Sequence, residues 1–249
     1  MDNSSFVQYD IFEPFNNLLT FTSLKQTLNH AAPRFTGDTA AVFQNNRKQL
    51  AHLLGIKKNQ LVFPRQTHTS CVAELSTIPS NELNETDGLV TAIPGICLCI
   101  QTADCVPVLL FDPVTNVIGA AHAGWRGTVK RIPSAAVYKM KNNYGSSPKN
   151  IMALIGPSIG PAVYEVGEEV ILAARKNIPN PENTIQSNQV GKNHFNLWEA
   201  NRQVLLSSGL LHKNIRVFGE CSFQNHKKYF SARREGTETG RNVSGIMLL

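Results

Sequence analysis

Three short apolar runs follow one another in the middle of the chain, at residues 96–100, 106–111 and 117–122. Runs of this length that contain β-branched residues and end at polar or turn-forming residues are typical of buried strands. The wider apolar stretch over residues 93–111 includes Asp104, a glutamine and two prolines, so it lacks the unbroken length of a membrane-spanning helix. The chain is therefore expected to bury a central sheet, with the polar breaks between strands facing a cleft.

Helical and strand-like patterns alternate along the rest of the chain. Apolar residues at helical spacing predict helices at 39–54 with an N-cap at Asp38 or Thr39, from Gly127 to Gly145, at 165–175 and at 198–208. Further strands are predicted at 61–63, 87–91, 151–155, 215–218 and 243–249, and polar loops at 79–86 and 177–194. There is no internal repeat, low-complexity linker or break in composition. Residues 1–249 are therefore predicted to form a single α/β domain with mixed strand directions.

Composition and charge exclude several classes of protein. With 42% apolar and 17% charged residues, the chain can bury a core and is not expected to be disordered. The formal net charge is +6, but the longest basic runs are pairs, so the charge favours a small anionic substrate over nucleic acid. The N-terminus lacks the pattern of a secretory signal, and five cysteines, an odd number, are typical of free thiols in a reducing cytoplasm.

One cysteine and two histidines lie at strand ends, where side chains more often face a cleft than a core. Cys105 follows Asp104 at the break between two strands, His122 ends the next strand just before Gly124, and His68 follows the strand at 61–63. Two imidazoles and a thiolate that converge can hold zinc with one position left open. The same residues can instead form a Cys/His nucleophile pair, and the spacing alone does not choose between the two.

A second candidate set is basic. Guanidinium groups bind phosphate or carboxylate through two parallel hydrogen bonds, although surface ion pairs to Glu220, Glu235 or Glu238 are the alternative. The candidates are Arg47, Arg126, Arg233, Arg234 and Arg241. Neither G-x-G-x-x-G nor G-x-x-x-x-G-K-[ST] occurs, which excludes the common dinucleotide-binding and P-loop classes.

Several motifs occur in a fixed order from Asn46 to the C-terminus. They are Asn46-Arg47, Gln66-Thr67-His68, Asp87-Gly88-Leu89-Val90-Thr91, Thr102-Ala103-Asp104-Cys105-Val106-Pro107, Ala121-His122-Ala123-Gly124-Trp125-Arg126-Gly127-Thr128, Ile155-Gly156-Pro157-Ser158-Ile159, Tyr164-Glu165-Val166-Gly167, and Phe230-Ser231-Ala232-Arg233-Arg234 with Gly240-Arg241. In these motifs the chain resembles the YfiH-type family, also called the laccase-domain or polyphenol oxidase family.

The resemblance implies a single α/β domain related in fold to Cys/His toxin deamidases, with a metal held by His68, Cys105 and His122. The metal implied is zinc, with copper as an alternative. Members of the family are described as purine nucleoside phosphorylases that also cleave methylthioadenosine and deaminate adenosine. Older descriptions call them copper-dependent polyphenol oxidases, and one bacterial branch is linked to correcting peptidoglycan precursors. The segment 21–29 departs from the family pattern because it lacks an Arg and a Gly-Gly pair. If this segment forms part of the substrate pocket, phosphate handling or specificity is expected to differ here.

The predicted function is therefore a zinc-dependent purine nucleoside enzyme that takes a nucleoside and phosphate. His68, Cys105 and His122 would form its centre, and Asp104 would carry a proton during deamination. Phosphate and substrate would be bound by Arg47, Gln66, Arg126, Arg233, Arg234 and Arg241. No nucleic-acid or membrane partner is expected.

Three alternatives remain. In the first, Cys105 is a nucleophile activated by His122, as in an amidase or an editing hydrolase of peptidoglycan precursors. A copper oxidase is less favoured, because multicopper electron transfer needs many histidines and the seven here form no His-x-His pair. A non-catalytic interaction protein would leave the three candidate ligands unexplained.

Overall fold

The computed structural model describes residues 5–36, 40–187 and 192–249. Its strands, in chain order, are β1 (Phe6–Val7), β2 (Leu18–Ser23), β3 (Leu61–Val62), β4 (Val72–Glu74), β5 (Gly88–Thr91), β6 (Cys97–Thr102), β7 (Val106–Asp112), β8 (Val117–Ala123), β9 (Met152–Ile155), β10 (Ile185–Ser187), β11 (Asn193–Phe195), β12 (Ile215–Val217) and β13 (Asn242–Leu248). The α-helices are α1 (Ala40–Leu54), α2 (Trp125–Val129), α3 (Ile132–Tyr144), α4 (Glu168–Asn177), α5 (Leu197–Ser207) and α6 (Ala232–Glu235).

Two mixed sheets form the centre of the fold. One sheet has the order β1-β2-β13-β6-β3, and the other has the order β12-β9-β7-β8-β5-β4. Most pairs are antiparallel, while β3 with β6, β4 with β5 and β12 with β9 are parallel. This confirms the predicted α/β class with mixed strand directions.

The side chains of β7 show how the sheets are layered, because successive residues of a strand point to opposite faces. Leu109 and Phe111 pack with Leu98 of β6 in the apolar layer between the two sheets. Val108 and Leu110 face the other way and pack with residues of α3 and α5. A third apolar cluster covers the outer face of the five-stranded sheet with α1. The layers therefore run helix, sheet, sheet, helices, and both faces of β7 are buried.

The three apolar runs are confirmed as β6, β7 and β8, and the first two do not pair as neighbours in a single sheet. β6 belongs to the five-stranded sheet, whereas β7 belongs to the six-stranded sheet. The short connection at residues 103–105 therefore carries the chain from one sheet to the other. The polar break that the sequence shows here is a crossing point between the two sheets.

Helix ends follow local chemistry. α1 ends before Gly55, whose φ of 70° is in the left-handed region, while its predicted N-cap at Asp38 or Thr39 lies outside the described residues. Pro133 is the second residue of α3, and the helix ends before Gly145, whose φ is 71°. The helix predicted from residue 165 begins three residues later, at Glu168, because Gly167 has an extended backbone and caps α4.

Other elements were missed. β1, β2 and β4 are short or lie in polar sequence, and the loop predicted at 177–194 contains the antiparallel pair β10 and β11. The five cysteines are free. Within the described ranges, no helix has both the length and the apolar character needed to cross a membrane.

Candidate active site

His68, Cys105 and His122 meet at the end of the sheets where the chain crosses between them. Cys105 lies on the connection from β6 to β7, His68 on the connection from β3 to β4, and His122 near the end of β8. The ligand atoms of the three residues all lie within 4.8 Å of one another. Cys105 Sγ is 3.9 Å from His68 Nε2, and the two imidazole rings have centroids 4.9 Å apart. The structure thus brings together the three residues that the sequence singles out.

Two of the residues that shape the site have backbone angles that are rare outside glycine. His68 has φ of 62° and Asp104 has φ of 87°. The Asp104 carboxylate accepts hydrogen bonds from Ser222 Oγ at 2.6 Å and from the Arg233 backbone N–H at 2.7 Å. These bonds hold the turn that presents Cys105, and they favour a positioning role for Asp104 over its predicted role as proton carrier.

Asp87, which was not a predicted site residue, holds the other two members of the site. Its carboxylate is fully buried and accepts a hydrogen bond from His122 Nδ1 at 2.7 Å. It also accepts hydrogen bonds from the backbone N–H groups of Thr67, His68 and Thr69 at 3.1, 3.0 and 2.8 Å, and from the Thr69 hydroxyl at 2.8 Å. Asp87 therefore fixes the ring orientation of His122 and the loop that carries His68. An acidic residue directly before a buried strand was the signal available in the sequence.

Gly124 leaves the space that the site needs. A Cβ atom built at this position would lie 2.7 Å from Cys105 Sγ and 3.1 Å from His68 Cδ2. Its φ of −66° and ψ of 171° are ordinary for any residue, so the requirement is for room rather than for backbone freedom. The small residue after His122 and Ala123 therefore permits the close approach of Cys105 and His68.

The site is strongly polarised. Burial opposes ionisation of the Cys105 thiol, but the charges and hydrogen bonds of His122 and His68 outweigh it and lower the pKa of Cys105 to about 6. Burial likewise opposes protonation of His122, yet Cys105 and Asp87 together raise its pKa to about 9. The pKa of Asp87 lies well below its usual range, because its bonds to His122 and to the backbone outweigh burial. Negative charge on Cys105 is therefore favoured.

The donor set suits a metal ion. Two imidazole nitrogens and a thiolate match catalytic zinc sites, which keep a fourth position open. With Zn–N of about 2.0 Å and Zn–S of about 2.3 Å, tetrahedral neighbours lie about 3.5 Å apart. The observed separation of 3.9 Å between Cys105 Sγ and His68 Nε2 is close to that value. Among the described residues this is the one group of three such ligands.

A cavity of about 430 Å³ opens beside the three ligands. Arg241 and Gln66, both predicted, line it together with Arg34 and Arg65, which were not predicted. The Gln66 side chain is fixed by two 2.8 Å bonds with the backbone N–H and carbonyl of Gln101. Among the described residues that line this cavity there is no carboxylate. The cavity is therefore cationic.

The other predicted arginines lie elsewhere. Arg233 donates to the Glu165 carbonyl at 3.0 Å and stacks 5.2 Å from the centre of the Tyr164 ring. Arg126 stacks 4.2 Å from the centre of the Trp125 ring.

Arg234 and Arg47 are also not among the residues that line the cavity. Arg234 donates to the Phe223 carbonyl at 3.3 Å and stacks on the Phe223 ring. Arg47 donates to the Phe35 carbonyl at 2.7 Å, stacks on Phe63, and lines a different cavity of about 440 Å³. Their contacts favour structural roles.

Known proteins resemble this chain over nearly its full length. A family model described as multi-copper polyphenol oxidoreductase laccase matches residues 22–249. A purine nucleoside phosphorylase from Bacteroides thetaiotaomicron is 37% identical over an alignment of 256 residues that covers 96% of this chain and 95% of the relative. Adenosine deaminase RL5, from an unknown prokaryotic organism, is 40% identical over 221 residues that cover 85% of this chain and 84% of the relative. The crystal structure of the hypothetical protein YfiH from Bacillus licheniformis superposes with a TM-score of 0.89 at 30% identity, covering 100% of this chain and 98% of that one.

Proposed function

This enzyme belongs to the multi-copper polyphenol oxidoreductase laccase family, and we propose that it cleaves purine nucleosides with phosphate and deaminates adenosine. The observation that carries the proposal is the convergence of His68, Cys105 and His122 beside a cationic cavity. The names of the two curated relatives support the substrate class. Inosine, adenosine and methylthioadenosine are the proposed nucleosides.

The chain's own residues supply binding and orientation. Asp87 holds His122 through Nδ1, which directs Nε2 toward Cys105 and His68. Asp104 and Asp87 fix the two turns that carry Cys105 and His68. In phosphorolysis, a phosphate oxygen bonds to C1′ of the ribose while the bond from C1′ to the purine nitrogen breaks, and the purine keeps the electron pair and gains a proton. In deamination, water replaces the amino group at C6 and ammonia leaves.

We assign His68, Cys105 and His122 as ligands of a zinc ion. When bound, zinc would supply a Lewis-acid centre at this end of the sheets. Copper also accepts imidazole and thiolate, so the metal has to be identified by analysis of the purified protein. Electron transfer by several coppers needs further histidine centres, and the described ranges contain one three-ligand group. The phenol oxidase activity in the family description is therefore the less favoured activity here.

The test combines product analysis with elemental analysis. Purified protein is incubated with inosine and phosphate and then with adenosine, and hypoxanthine, ribose 1-phosphate and inosine are quantified by chromatography. We expect product from both reactions and close to one zinc per chain. Cys105→Ala should lose both metal and product, while the matched variant Cys71→Ala, at an exposed cysteine outside the group, should keep both. Absence of product from zinc-loaded wild-type protein would refute the proposal.

One observation favours a second candidate function. Asp87, His122 and Cys105 follow one another like the carboxylate, imidazole and thiol of a cysteine hydrolase. Such an enzyme would hydrolyse an amide, for example in a peptidoglycan precursor, through an acyl group on Cys105 and without metal. It predicts that chelated protein stays active and that thiol alkylation abolishes that activity. Loss of activity on chelation and its recovery with zinc would exclude this second function.

A further inference from the structure

The cavity beside the three ligands has two arginines that converge on one backbone oxygen. Arg34 Nη2 donates to the Thr237 carbonyl at 2.8 Å, and Arg241 Nη2 donates to the same carbonyl at 3.0 Å. The two nitrogens are therefore no more than about 6 Å apart. Arg241 also bonds the carbonyl of Gly240 at 3.0 Å, so the guanidinium is held in place by its own turn. The positions of both groups are set before any ligand arrives.

The positive charge of this pair is weakly compensated. Glu238 is 3.4 Å from Arg34 Nη2, but its side chain is 93% exposed, so solvent screens the pair. The bonds that Arg241 donates go to neutral carbonyls. Burial lowers the pKa of Arg241, and the nearby charge of Arg34 lowers it further. Two like charges in a partly buried cavity are costly on their own, and an anion between them offsets that cost.

The same cavity reaches the reactive group. Its walls include Cys105, His68 and His122 as well as the two arginines, and Arg65 adds a third guanidinium. An anion held by Arg34 and Arg241 therefore lies next to the three ligands. Guanidinium forks match the spacing of phosphate oxygens, so a tetrahedral oxyanion suits the site better than a single point anion.

We propose that Arg34 and Arg241 form the subsite for the attacking phosphate, with Arg65 at its edge. The inference rests on the proposed function and assigns the second substrate to a place within it. It also separates the predicted arginines: Arg241 binds phosphate, whereas Arg126 and Arg233, which are not among the residues that line the cavity, do not. Because deamination consumes water and no phosphate, the two activities of the enzyme should depend differently on this subsite.

The test measures phosphorolysis of inosine by zinc-loaded enzyme at varied phosphate, together with deamination of adenosine. In Arg34→Gln and Arg241→Gln the shorter side chain stays polar but loses the positive charge and the guanidinium fork. We expect KM for phosphate to rise about tenfold or more in each variant, since hydrogen bonds between charged partners are worth about 1.5–3 kcal/mol. The rise in KM for phosphate should exceed any change in KM for inosine or in the deamination rate.

Two controls address charge and folding. Arg216 is an exposed arginine on β12, away from the cavity, and it pairs with Asp10 at 3.0 Å. Arg216→Gln should leave KM for phosphate unchanged. Arg34→Lys keeps the charge without the fork and should fall between wild type and Arg34→Gln. Melting temperatures near that of wild type establish that the variants fold.

The possible outcomes separate this inference from the proposed function. An unchanged KM for phosphate in both glutamine variants, or a rise seen with Arg233→Gln instead, overturns the subsite. If wild-type enzyme shows no phosphorolysis, the proposed function fails, and calorimetric titration with inorganic phosphate then decides the subsite. Binding that is lost in Arg34→Gln supports it, while absent binding, or binding that the substitution leaves intact, overturns it.

Discussion

Asp87→Asn is the substitution that most directly tests how the site is held together. The buried carboxylate accepts five hydrogen bonds, three at Oδ2 from Thr67 and Thr69 and two at Oδ1 from His68 and His122. Asparagine has nearly the same shape but only one accepting oxygen. In its better orientation the amide nitrogen faces the two donors at the Oδ1 position, so at least two buried donors lose their acceptor.

The expected cost follows from that count. A buried donor left without a partner costs about 1–3 kcal/mol, so two of them cost about 2–6 kcal/mol. This is a large part of the total stability of an ordinary domain, which is about 5–15 kcal/mol. His122 can recover one hydrogen bond if its proton moves from Nδ1 to Nε2, because Nδ1 then accepts from the asparagine amide. The protonated Nε2, however, cannot bind metal. Loss of a carboxylate that orients a metal ligand typically lowers metal affinity about 10–100-fold.

Urea unfolding of chelated protein measures the first effect, and zinc competition against a chromophoric chelator measures the second. The matched control is Asp112→Asn, a fully buried aspartate at the far end of β7, the strand that follows Cys105. Its Oδ1 accepts Val114 N–H at 2.9 Å, and its Oδ2 has no hydrogen-bond partner among the described residues. Asparagine should therefore be tolerated there. If Asp87→Asn matched Asp112→Asn in both stability and zinc affinity, the role assigned to Asp87 would be wrong.

Three further predictions concern space, backbone strain and packing. Gly124→Ala should lower zinc affinity at least about tenfold, because its Cβ would meet Cys105 Sγ at 2.7 Å, while the melting temperature of chelated protein changes little; a full complement of tightly bound zinc would contradict this. Asp104→Ala should be less stable in urea than Asp104→Gly by about 1 kcal/mol, since φ of 87° suits glycine, and both should fall below wild type through loss of the Ser222 bond. Met140→Ala, in the fully buried face of α3, should cost about 2–5 kcal/mol in urea unfolding and leave zinc affinity intact. An altered zinc affinity in that variant would mean that the site depends on core packing as well as on its own hydrogen bonds.

Much of the fold follows from local pattern. The strands β6, β7 and β8 are apolar runs bounded by polar residues, and α3 is delimited by a proline and a glycine, so short-range chemistry determines them. The short strands β1 and β4 and the pair β10 and β11 have no such pattern. They depend on hydrogen bonds to partners elsewhere in the chain, which a local reading of sequence does not contain.

The same division applies to the site. The sequence by itself pointed to the candidate residues, because His68 and Cys105 follow strands, His122 lies at the end of one, and all three stand beside small or polar residues. Only the tertiary structure decided that β6 and β7 lie in different sheets, so that the turn between them meets the ends of β3 and β8. It also decided that Asp87 serves both histidines, and that Arg34 joins Arg241 while Arg47 lies in another cavity. The physical reason is that a residue's type sets what it can bind, whereas its partners are set by contacts between segments far apart in sequence.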